Sequence, residues 1–125
     1  MNTRRIAIML SLVAVLLAGT ILTAAAATPM QVSNFSVALV NGQAQASLHV
    51  QDALSQSVAR AKVRISFEKD GSATIYRTRR TDASGNVSFA ASLPAGTWMV
   101  CVEEIHKRGF SYDPVSNLCS SISIP

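Results

Sequence analysis

The chain is poor in the residues and spacings that carry chemistry. Only two histidines occur, His49 and His106, far apart and without a short His-x-His spacing. Separated histidines are weak metal ligands. No Gly-x-Ser-x-Gly elbow is present to expose a nucleophilic serine. A Ser–His–Asp set can be assembled on paper from many residues here, so it carries no signal. Aromatic residues make up only 6% of the chain, which leaves few exposed rings for base stacking and argues against nucleic acid as a partner. After Ala27 there is no helix-period stretch of useful length, no linker, no internal repeat and no low-complexity segment. These absences point away from an active site. No catalytic residue, metal or cofactor is expected.

What is present begins with an address. Met1–Arg5 carries Arg4 and Arg5, Ile6–Leu17 is almost wholly apolar, and Thr23-Ala24-Ala25-Ala26-Ala27-Thr28-Pro29 ends the stretch with small residues. A basic start, an apolar middle and a small-residue end read as a secretory signal peptide. Ala25 and Ala27 supply the small side chains that the peptidase pockets grip, so cleavage is expected after Ala27. The rival is an uncleaved anchor, since Ile6–Ala27 is near the ~20 residues a bilayer needs. The alanine-rich end and thin basic region favour cleavage. Residues 1–27 are thus read as leader and 28–125 as one domain, secreted to the periplasm or the medium and free of the membrane. Loss of Arg4 and Arg5 leaves nine basic against seven acidic residues, so the working charge is about +2 rather than +4.

The remainder reads as short alternating runs with turns every eight to twelve residues, the pattern of a sandwich or barrel of antiparallel strands. The expected strands are Val32–Val40, Ala44–Gln51, Ala61–Glu68, Ser72–Arg80, Val87–Ala91, Thr97–Ile105 and Asn117–Ile124, about seven in all. Asn41-Gly42 is a strong hairpin pair because both residues tolerate positive φ. Ala61, Val63, Ile65 and Phe67 alternate with Lys62, Arg64, Ser66 and Glu68, which puts the two sets on opposite faces. Trp98, Val100 and Val102 form the inward set of the sixth strand. Glu103-Glu104 breaks that alternation as a bulge would. Leu118, Ile122 and Ile124 are the inward set of the last strand.

Cys101 and Cys119 are the only cysteines. An even count in an exported chain implies a disulfide. Cys101 lies between inward Val100 and Val102, and Cys119 follows Leu118. Both cysteines therefore fall on the outer face. A hairpin turning near Phe110 places them opposite each other, so the bridge should staple neighbouring strands of one sheet, with solvent access.

Val50-Gln51-Asp52-Ala53, Val58-Ala59-Arg60-Ala61-Lys62-Val63, Thr81-Asp82-Ala83-Ser84-Gly85-Asn86-Val87-Ser88-Phe89, Gly96-Thr97-Trp98, Gly109-Phe110-Ser111-Tyr112-Asp113-Pro114 and Asn117 together resemble a family pattern. It is that of prealbumin-like and bacterial Ig-like (carboxypeptidase-regulatory-like) modules attached to secreted bacterial hydrolases. The resemblance covers about Val50–Ile124. It departs from the pattern at Leu54-Ser55-Gln56-Ser57, where a Gly-x-Pro is usual, and no catalytic segment accompanies it within these 125 residues. It implies a two-sheet antiparallel sandwich used for binding or spacing, without catalysis. His49, His106, Tyr76 and Tyr112 invite comparison with the iron set of intradiol dioxygenases, whose core is also prealbumin-like. Those enzymes draw both histidines from one short segment, and this chain does not.

Two polar features remain. Asp52, Asp70, Asp82 and Asp113 sit in loops, where aspartate favours turns by bonding to its own backbone. Arg60, Lys62, Arg64, Arg77, Arg79 and Arg80 gather around the third and fourth strands as candidate polyanion-binding residues. Such a stripe either holds an anionic surface polymer or protects an edge strand against pairing with other chains, and the sequence favours the second. The expected function is a secreted, non-enzymatic Ig-like module that binds a cell-surface polymer, a carbohydrate or another secreted protein, or serves as a structural or adhesion element. The alternative is an inhibitor or accessory subunit of a secreted hydrolase, working through the Asp52–Ala59 or His106–Asn117 loop.

Overall fold

The computed structural model describes residues 27–72 and 74–125. The expected leader, apart from Ala27, lies outside the described residues. Eight strands follow in order: β1 Thr28–Val40, β2 Gln43–Asp52, β3 Lys62–Lys69, β4 Thr74–Arg80, β5 Asn86–Ala91, β6 Gly96–His106, β7 Phe110–Ser111 and β8 Cys119–Ile124. The described residues hold no helix long and apolar enough to cross a membrane.

The strands form two four-stranded sheets, β5-β2-β1-β7 and β4-β3-β6-β8, in a sandwich-like all-β fold. One core lies between them. Its members include Ala44, Ala46, Leu48 and Val50 from β2, Val63, Ile65 and Phe67 from β3, Val87 and Phe89 from β5, and Trp98, Val100 and Val102 from β6. These are the alternate residues of each strand, as the two-residue period requires. Burying each large apolar side chain contributes roughly 1.5–3 kcal/mol. Trp98 adds a hydrogen bond, its Nε1–H donating to the Pro94 carbonyl at 2.9 Å.

The turns follow their residue types. Asn41 and Gly42 take φ of 50° and 78° and close the β1–β2 hairpin. Asp52, Asp82 and Asp113 each fold a turn onto their own carboxylate, accepting from Leu54 and Gln56, from Ser84 and Asn86, and from Val115. The bulge on β6 is present: Arg64 faces Glu104 and Ile65 faces Val102, which leaves Glu103 as the extra residue. A second bulge lies on β1 between Ser33 and Ser36, where Asn34 has a φ of 54°. It switches the inward set from Met30 and Val32 to Phe35 and Val37.

Four expectations are corrected. The described strands number eight, because β7 is an additional short strand. The pairing is not antiparallel throughout: β7 runs parallel to the start of β1, with Thr28 against Phe110. β6 and β8 are therefore not joined by a simple hairpin, since the chain crosses to the other sheet near Phe110 and returns through a 3-10 turn, Pro114–Ser116. Leu118 is 41% exposed rather than inward, because it precedes β8 and is still leaving that turn. Ser66 is buried although it faces outward with Lys62 and Arg64. It sits between its cross-strand neighbours Tyr76 and Cys101, and its hydroxyl donates to Glu103 Oε1 at 2.6 Å.

The disulfide stands where the strand register put it. Cys101 and Cys119 are direct partners in the β6–β8 pair and are bonded, with a Cα–Cα distance of 4.1 Å. Cys119 is exposed and Cys101 half-buried, on the outer face of the sheet.

Candidate functional site

The outer face of the β4-β3-β6-β8 sheet gathers the chemistry. Cross-strand register decides which basic residues meet. Lys62 on β3 lies directly opposite Arg80 on β4 and opposite His106 on β6. Period 2 puts all three on one face, so they form a single row across three strands. The next row is Thr78, Arg64 and Glu104. Arg64 lays its guanidinium over the Tyr76 ring, 4.1 Å from the centroid, a cation–π contact that holds the side chain flat along the sheet. Lys62, Arg64, Tyr76, Thr78, Glu104 and His106 line a shallow concavity of about 570 Å³.

Arg77 and Arg79 do not join that face. They partner Ile65 and Val63, so alternation turns them to the core side of β4, at the sheet's edge, where they run out into solvent. Arg79 reaches β5 of the other sheet, its Nη1 donating to the Ser88 carbonyl at 2.8 Å. That contact ties the two sheets together on their open side. Inward-pointing charge on an edge strand is a known guard against pairing with other chains. Arg60 sits in the preceding loop with a φ of 62°, and its carbonyl accepts from Arg80 Nη1 at 3.2 Å. The six residues therefore split by role. Lys62, Arg64 and Arg80 share the outer face, Arg77 and Arg79 line the other side of the edge strand, and the Arg60 carbonyl accepts from Arg80.

Glu104 faces Arg64 and partly offsets its charge, so the positive charge of this face concentrates at Lys62 and Arg80, with His106 beside them. The far end of the same face is different. Glu68, Asp70, Thr97, Trp98, Met99 and Ser121 line a second concavity of about 460 Å³, with two acids and no base.

Three polar arrangements were not legible in the sequence. Ser57 Oγ lies 3.3 Å from His49 Nε2, and His49 Nδ1 lies 3.0 Å from Asn86 Oδ1. The order of contacts is that of a nucleophile, a base and its orienter. Here it latches a loop: His49 and Asn86 are partners in the β2–β5 pair, and Ser57 ends the turn that Asp52 caps. Thr81 is buried, donates to the Val58 carbonyl at 2.7 Å and accepts from Ala61 N at 2.9 Å, which pins the β2–β3 crossover. Tyr112 donates to Asn117 Oδ1 at 2.6 Å, and Asn117 Nδ2 donates to the bulged Glu103 carbonyl. The first joins residues of different elements that share no motif, and the third joins Tyr112 and Asn117, which stand in one motif, to Glu103, which does not. Thr81-Asp82 lies in the Thr81–Phe89 motif, whose residue types point to a turn and carry no signal for the threonine's long-range bonds.

The histidines and tyrosines of the iron comparison do not converge, with His49 on one sheet and His106 on the other. Among the described residues, no three His, Cys, Asp or Glu gather as a metal-binding group. Compared with protein-family models, curated proteins and solved structures, the chain matches none.

Proposed function

We propose that this is a secreted, non-enzymatic Ig-like or prealbumin-like sandwich that acts by binding, and that the Arg80–Lys62–His106 row with Arg64 and Tyr76 is its surface for an anionic cell-surface polymer. One observation carries the reading. Lys62 and Arg80 stand directly opposite each other on adjacent strands. Like charges in that position are destabilising. A multivalent anion laid across the row offsets that cost, and the concavity beside it offers the polymer a seat. Export is supported by the leader pattern and by the disulfide, which persists in oxidising compartments.

The test is binding of anionic cell-wall fragments to the exported protein. The Lys62→Glu, Arg80→Glu double variant should lose binding while keeping its fold, since exposed substitutions usually cost little. Binding to wild type should fall steeply with salt, as the Debye length shrinks from ~10 Å at 0.1 M to ~3 Å at 1 M. Binding that survives both changes excludes this surface. No binding at low salt leaves edge protection as the better account of the charges.

A second reading has its own observation. Leu54 is 79% exposed at the tip of a loop held by two backbone hydrogen bonds to Asp52. A rigid loop presenting one apolar side chain suits an inhibitor of a secreted hydrolase. Inhibition of such an enzyme that is lost in Leu54→Ala supports this reading over the first.

A further inference from the structure

The two sheets have four free edges, and three of them are guarded. β4 carries Arg77, Arg79 and Arg80. β5 is six residues long, and Arg79 occupies the Ser88 carbonyl. β8 is also six residues long, bounded by the disulfide at Cys119 and by Pro125. These are the devices by which natural sheets avoid unwanted pairing: charge, shortness and proline.

β1 has almost none of them. It is the longest strand, 13 residues, and β7 covers only Thr28 and Pro29 on its outer side. From Met30 to Val40 no strand among the described residues pairs with that side. No Asp, Glu, Lys or Arg occurs between Arg5 and Asp52. The bulge at Asn34 bends the strand once, and Phe35–Val40 then runs regularly to the hairpin. Leu39 and Val40, at its end, are each 42% exposed.

We infer that this edge is an assembly surface for a second copy of the chain, paired β1 to β1 antiparallel about a two-fold axis at Val37. The occupant follows from the strand's own pattern. With Val37 facing its symmetry mate, Phe35 meets Leu39 of the other copy and Ser36 meets Ala38. Val37 and Leu39 oppose inward Ala46 and Ala44 on β2, while Ser36 and Ala38 oppose outward-facing Ser47 and Gln45. Apolar residues thus meet apolar residues on the core face, and small residues meet small ones outside. A one-residue slip breaks both matches. The edge is self-complementary, as a two-fold interface must be. It also brings no charges together, although the chain as a whole is net positive. A charged partner would find nothing there to pair with. Two four-stranded sheets become one continuous sheet of eight. The interface is a few residue pairs wide, so a reversible association is expected rather than an obligate dimer.

Sedimentation equilibrium of the exported protein across the micromolar range tests this. Wild type should shift from monomer to dimer with concentration. Ala38→Lys puts a charge on the exposed outer face of the edge without touching the core, and should weaken the dimer about tenfold or more. Ala90→Lys, on the far edge of the same sheet, should leave it unchanged. Circular dichroism of both variants checks that they fold. A protein that stays monomeric throughout the range, or a dimer indifferent to Ala38→Lys, overturns the inference. A dimer lost equally in both variants overturns it too, since it would then answer to charge alone.

Discussion

Removing the disulfide should destabilise the domain by an amount set by the loop it closes. Cys101 and Cys119 are 18 residues apart in sequence. The chain-entropy relation for a loop of that length gives about 3 kcal/mol at 25 °C. The native structure gives little reason for a further loss. Six residue pairs hold β6 to β8 from Gly96–Ile124 to Cys101–Cys119, and Val102 N–H donates to the Leu118 carbonyl at 2.9 Å just beyond. The strands remain paired without the bridge. Cys119 is exposed and Cys101 half-buried, so Cys101→Ala, Cys119→Ala removes little packed surface. The effect should therefore fall on the unfolded chain, which gains freedom. Urea unfolding of the double variant should show a loss of about 3 kcal/mol, out of the ~5–15 kcal/mol a domain typically has. The m-value should rise, because the unlinked unfolded chain exposes more surface. In a thermal melt, at ~4–8 °C per kcal/mol for a domain of this size, the midpoint should fall by ~12–24 °C. A loss under ~1 kcal/mol with an unchanged m-value would refute loop closure as the source of the bridge's stabilisation.

Trp98→Ala removes a buried ring and its hydrogen bond to Pro94, and should cost ~3–5 kcal/mol in the same assay; a melt within a few degrees of wild type contradicts its place in the core. Gly85 has a φ of 79°, and a Cβ there would lie 2.7 Å from the Val50 carbonyl oxygen and 3.0 Å from the His49 ring. Gly85→Ala should therefore cost ~2 kcal/mol or more, while Gly71→Ala, at a similar φ but with open space around it, should show only the ~1–2 kcal/mol of the left-handed backbone. Equal losses at the two sites would mean that close packing at Gly85 is unimportant. Burial, and secondarily the Asp113 carboxylate, hold the Tyr112 phenol above its usual range. The folded state then keeps the proton longer than the unfolded one, so this stability is intact below about pH 10 and is lost as pH rises beyond it. Tyr112→Phe should start lower by ~1 kcal/mol for the lost hydrogen bond and show a shallower alkaline fall; an identical alkaline slope would sink the assignment.

Local pattern carried much of this molecule. The alternation in Ala61–Glu68 and Trp98–Val102 fixed which side chains face the core, because successive residues of a strand must point to opposite faces. Asn41-Gly42 and the loop aspartates marked the turns, because the backbone there needs positive φ or a nearby carboxylate. The bulge at Glu103-Glu104 and the within-sheet disulfide followed from the same period. What pattern could not reach was anything set by which strands lie side by side. The parallel pairing of β7 with β1 joins segments some eighty residues apart, and two residues are too short to show a period. The basic cluster looked like one stripe because its members are close in sequence. Register then divided it, with Lys62, Arg64 and Arg80 on the outer face and Arg77 and Arg79 on the other side of the same edge strand. The His49–Ser57–Asn86 latch, the Ser66–Glu103 bond and the side of β1 left unpaired beyond Pro29 among the described residues are likewise products of pairing. A chain's local preferences decide which face each residue takes along its own strand, but only the packed sheets decide what stands opposite it.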